Sequence, residues 1–149
     1  MALKVKRIVL WRGVVPNVPG SLARTLAPLK GGNLQIVMGY HLHGGRDEAI
    51  VEAYPVSGKK AMAGAAAVGL AAGALPALLV QGDDRPGLGH AMADALGRAG
   101  ININFLVAQV VRKQYSAVFG FASELDATSA AALIKKAAAA AQRKKKGRR

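Results

Sequence analysis

The sequence predicts an α+β protein built from two similar units, each an antiparallel sheet with helices on one face. Three observations carry this. A proline-glycine turn occurs as Asn17-Val18-Pro19-Gly20 and again, 67 residues on, as Asp84-Arg85-Pro86-Gly87, with the match in register to Leu29 and Leu96. One succession of short apolar strand, helix, long strand, hairpin and second helix can be laid on both halves. Hydrophobic residues make up 52% of the 149, enough for a core, although the many alanines make it a thin one.

Taken in order, "RIVLWRG" reads as the first strand and "ALLVQGD" as its counterpart. Asn or Asp followed by x-Pro-Gly turns the chain into a helix of about three turns, because proline is tolerated where a helical N–H would lack a partner anyway. Gly31 or Gly32 ends the first helix and Gly100 the second. Pro28 falls inside the first and should kink or shorten it by removing the bond to the Arg24 carbonyl.

The long strand "NLQIVMGYHLH" alternates, with Leu34, Ile36, Met38, Tyr40 and Leu42 on one face. "GGRD" turns it into "EAIVEAYPV", as "VRKQ" leads into "YSAVFGFAS" in the second half. Phe105, Leu106, Val107 and Ala108 are apolar on both faces of their strand, which implies packing against the other unit or a second chain. "GKKAMAGAAAVGLAAGA" closes the first unit as a helix reaching about Ala74, and "ELDATSAAALIKKAAAAAQ" closes the second. The expected boundaries are 1–74 and 75–142, followed by a basic solvated tail at 143–149.

The duplicated [Asn/Asp]-x-Pro-Gly turn, with the strand starts "GGNLQI" and "GININ", resembles tandem ACT domains from Lys6 to about Ala141. The resemblance implies two ferredoxin-like βαββαβ repeats. It also implies a stand-alone regulatory or sensing module that binds a small amino acid where ACT domains meet, with no cofactor. The ligand contacts it implies are Asp84, Arg85, Gly87, Leu88 and Asn102. Asn17, Gly20, Ser21 and Asn33 form a weaker counterpart, because the first helix carries Pro28. A homodimer and a regulated partner protein are expected with it. Helix N-termini suit a carboxylate, since they present unpaired N–H groups and partial positive charge.

The net charge of +13 is concentrated at the end of the chain. Arg143 to Lys146, Arg148 and Arg149 supply six cations, which leaves 15 basic against 8 acidic residues in the body. The tail could meet nucleic acid without sequence preference, since no stacking aromatic accompanies it. A non-ligand oligomerising adaptor is the other alternative.

The Ala61–Val80 stretch is uncharged and long enough to span a membrane, but it is mostly Ala and Gly around Pro76 and gains little from lipid. With no signal-peptide pattern at its start, the chain is expected in the cytoplasm. Gly87-Leu88-Gly89 continues to Met92 where a dinucleotide fingerprint needs a small residue, and "SGKKA" lacks the upstream glycine of a phosphate loop. There is no cysteine, and His41 with His43 lacks further metal ligands nearby. No nucleophile constellation is present, so catalysis is not expected.

Overall fold

The computed structural model describes residues 2–44 and 46–147, with backbone only for 144–146. It contains two compact units: residues Val9–Ala74, and those up to Ile8 together with those from Leu75 onward. The first unit runs β2 (Trp11–Pro16), α1 (Ser21–Leu26), β3 (Ile36–His41), β4 (Glu48–Tyr54), α2 (Lys59–Ala67) and β5 (Ala71–Ala72). Its sheet order is β3-β4-β2-β5. The second runs β6 (Ala77–Asp83), α3 (Leu88–Arg98), β7 (Phe105–Val111), β8 (Gln114–Gly120) and α4 (Glu124–Lys146). It is completed by β1 (Lys4–Ile8), giving the order β1-β6-β8-β7. All strand pairs are antiparallel, and both sheets have the ferredoxin-like order.

Residues 1–8 were expected in the first repeat, but the strand at their end belongs to the second. "RIVLWRG" is not one strand. It breaks after Ile8, and Ile8 lies opposite Ala77 while Trp11 lies opposite Ala53. The fourth strand of this sheet comes from the N-terminal segment and covers an otherwise open edge of β6.

Pro28 shortens α1 as its chemistry requires, and the chain continues as a 3-10 turn over Ala27–Leu29. α2 stops at Ala67 rather than Ala74. Gly69 takes φ +85°, and the Leu70 N–H closes the helix on the Ala65 carbonyl at 2.9 Å. The freed residues Ala71 and Ala72 become the edge strand beside β2.

α4 extends beyond the expected end at 142. Its alanines favour helix. Residues 143–146 are therefore helical, whereas Arg148 and Arg149 of the expected tail lie outside the described residues.

The second unit's core sets Leu78, Val80, Ala117 and Phe119 of the sheet against Leu88, Met92 and Leu96 of α3 and Ala127, Ala130, Ile134 and Ala138 of α4. The first unit's core is smaller: Val15, Leu29, Val51, Ala53, Ala65 and Leu70. Because Val51 and Ala53 lie in register with Gly39 and Val37, the apolar face of β3 (Ile36, Met38, Tyr40) is turned away from the helices.

Candidate functional site

The two Pro-Gly turns have one geometry. Gly20 and Gly87 sit at φ +87° and +82°, each one residue before its helix. The Ser21 N–H donates to the Val18 carbonyl, and the Leu88 N–H to the Arg85 carbonyl, both at 3.1 Å. With proline at the second position and left-handed glycine at the third, these are type II turns. The preceding residue is held alike in both copies: the Asn17 N–H donates to the Asp47 carbonyl at 2.9 Å, and the Asp84 N–H to the Lys113 carbonyl at 2.8 Å. Neither helix has a side-chain cap.

Side chains differ between the copies. A cleft of about 280 Å³ opens over the first turn, lined by Asn17, Val18, Gly20, Ser21 and Leu22, with Gly39, Tyr40 and His41 of β3 opposite. Asn17 Nδ2 donates to Asp47 Oδ1 at 3.3 Å, and the buried Ser21 hydroxyl accepts from Arg24 Nη2 at 3.2 Å.

In the second copy Leu88 is buried in the core, and the buried Arg85 reaches α4, donating from Nη1 to the Ala138 carbonyl at 3.3 Å. Both side chains are thus committed to packing and do not line an open surface. Gly87 and Pro86 remain exposed and Asp84 half-buried. The sequence ranks the second copy first, and its helix is indeed the longer, but the cleft just described lies over the first.

Asn33 and Asn102 do not join the turns of their own copies. β3 runs in the same direction as β2, so the start of β3 and the end of β2 lie at opposite ends of the sheet. At ~3.3 Å per residue the separation is about 20 Å, beyond the reach of a small amino acid. β7 relates to β6 in the same way, which removes Asn102 from the Asp84 turn of its own repeat.

With this topology in hand, the chain can be set beside known structures. It is similar to protein BT0572 from Bacteroides thetaiotaomicron, with a TM-score of 0.66 and 14% identity over 86% of this chain and 87% of that one. It is also similar to the ligand-free regulatory subunit of aspartate kinase from Thermus thermophilus, with a TM-score of 0.59 and 15% identity over 92% and 97%. The fold is ACT-type, present twice. Aspartate kinase from Clostridium acetobutylicum matches over 91% of this chain but 34% of its own length, with a TM-score of 0.55 and 14% identity. No protein-family model matches the chain, and no curated protein matches its sequence.

The first ACT-type repeat also holds a charged group that the sequence pattern does not reveal. Glu52 of β4 is only 4% exposed. Tyr40 Oη donates to its Oε2 at 3.4 Å, and Arg12 Nε lies 3.9 Å from Oε1. Burial pushes the Glu52 carboxyl above its ordinary range, against the opposing pull of Arg12 and of the Tyr40 hydrogen bond. Tyr40 is raised too, by its own burial and then by the Glu52 charge.

The Tyr40 side chain thus serves the buried carboxyl on the sheet face turned away from the helices, whereas His41, on the other face, has Nε2 3.9 Å from Asp47 Oδ1. Alternation alone puts Tyr40 among apolar neighbours and gives no sign of its bond to Glu52. Among the described residues, no group of three metal-ligating side chains occurs, and no helix is long and apolar enough to cross a membrane.

Proposed function

We propose that this chain is a cytoplasmic regulatory module without chemistry of its own, which binds a small amino acid where ACT-type units meet and acts on a partner protein. The observation that carries this reading is the cleft over the Asn17–Ser21 turn, set in a fold shared with regulatory subunits of aspartate kinase. The cleft is the size of a small metabolite rather than a peptide. Asn17 supplies an amide, and the His41 ring supplies a polar group opposite it. The Asp84, Arg85, Gly87 and Leu88 turn is the second candidate, gripping through backbone at Gly87. Asn33 and Asn102 enter this reading as groups contributed from another unit.

A thermal-shift screen of the full chain against the common amino acids at millimolar concentration tests it. A site saturated at ~100 times its dissociation constant adds about 2.7 kcal/mol. One or two responders whose shift disappears in Asn17→Ala with His41→Ala are expected. Flat curves throughout would remove the ligand, and a shift retained in that variant but lost in Gly87→Pro would move the site to the second copy.

A second reading, assembly without a ligand, is favoured by one observation. β7 is an edge strand with Leu106, Val107, Val110 and Val111 exposed at 44%, 50%, 52% and 57%. An apolar unpaired edge is a template for another strand, here that of a second copy. Sedimentation equilibrium is expected to give a dimer that Val107→Lys with Val110→Lys converts to monomer; a dimer unaffected by those changes would exclude this edge.

A further inference from the structure

The end of the first repeat opposite the Asn17 turn has its own concavity. The chain from Ala27 to Gln35 and the segment from Pro55 into α2 enclose about 750 Å³, more than twice the volume at the turn. Lys30, Lys59 and Lys60 line it, with no Asp or Glu on its wall. None of these ammonium groups has an ion-pair partner among the described residues. Three like charges around one hollow repel, and an anion reverses the sign of that interaction. Pro28, Leu34 and Pro55 supply apolar wall between them.

We propose that this cleft binds a small organic phosphate, its phosphoryl oxygens held by Lys30, Lys59 and Lys60 and its organic part against Pro28, Leu34 and Pro55. The charge pattern separates this ligand from a free amino acid, whose ammonium group would find no carboxylate here. It also separates it from nucleic acid: no aromatic ring lines the cleft to stack a base. Lysine suits the task as a mobile point charge that follows phosphoryl oxygens without demanding one planar geometry. This site lies at the far end of the sheet from the Asn17 cleft, so it stands or falls independently of the amino-acid reading.

Isothermal titration of the full chain with inorganic tripolyphosphate, and then with ATP, tests the proposal. Saturable one-to-one binding is expected. It should weaken about tenfold or more in Lys30→Gln with Lys59→Gln and Lys60→Gln, recover when the same positions carry arginine, and persist when residues 143–146 are changed to glutamine. Absence of saturable binding would overturn the assignment. So would a loss that follows residues 143–146 instead of the cleft, or an affinity for single-stranded oligonucleotides that grows with length and ignores the three cleft lysines.

Discussion

Gly20 and Gly87 hold a left-handed backbone that a side chain resists, and at Gly87 an added Cβ would meet nothing within 4 Å. Gly87→Ala therefore isolates the conformational cost, which should be about 1–2 kcal/mol by chemical denaturation. A cost near zero would mean the turn can change type. At Glu52 the effect depends on pH. Its carboxyl is raised in the fold, so the folded chain holds the proton more tightly than the unfolded chain. The stability this provides is complete below the unfolded pKa and is lost as pH rises through the folded one. Glu52→Gln, which imitates the protonated form, should raise Tm relative to the parent more at neutral pH than near pH 4. Equal offsets at both values would show that the carboxyl is not responsible.

The β7–β8 hairpin shows how an element can carry strain that neighbouring elements hold in place. Its two connecting residues, Arg112 and Lys113, have φ of +48° and +66°, the pattern of a type I′ turn, which favours Asn-Gly. The strand register from Phe105 opposite Gly120 to Val111 opposite Gln114 fixes that connection at two residues. Arg112→Asn with Lys113→Gly should stabilise the chain by about 1 kcal/mol or more, measured as a rise in denaturation midpoint at constant slope. α4 begins with a conventional device, the Ser123 hydroxyl accepting from the Asp126 N–H at 3.1 Å. Arg7 of β1 pairs with Glu124 in that first turn, tying the N-terminal strand to the last helix.

For the whole molecule, the placement of β1 makes the second unit discontinuous in sequence. Ile8 is almost fully buried, and the strand pairs with β6 from Lys4 opposite Gln81 to Ile8 opposite Ala77. Deleting residues 2–8 should destabilise the second unit by at least the ~1.5–3 kcal/mol that burying an isoleucine contributes. Hydrogen exchange would show the loss in β6 and β8. Protection lost only in β2–β4 would contradict this assignment.

The sequence by itself determined the duplication, the α+β class, the two Pro-Gly turns and the shortening of α1. Each of these follows from local chemistry: proline's missing N–H, glycine's freedom at positive φ, and the two-residue or 3.6-residue recurrence of apolar side chains. Only the tertiary structure decided that β1 serves the second sheet, because strand pairing depends on which edge lacks a neighbour and not on the strand's own residues. It also decided that Arg85 and Leu88 turn inward and that Asn33 and Asn102 lie far from the turns of their own repeats. Strand direction sets those separations, and direction is a property of the assembled sheet. Tyr40, Glu52 and Arg12 come from three different strands and meet only in register, so no spacing within one segment could announce them.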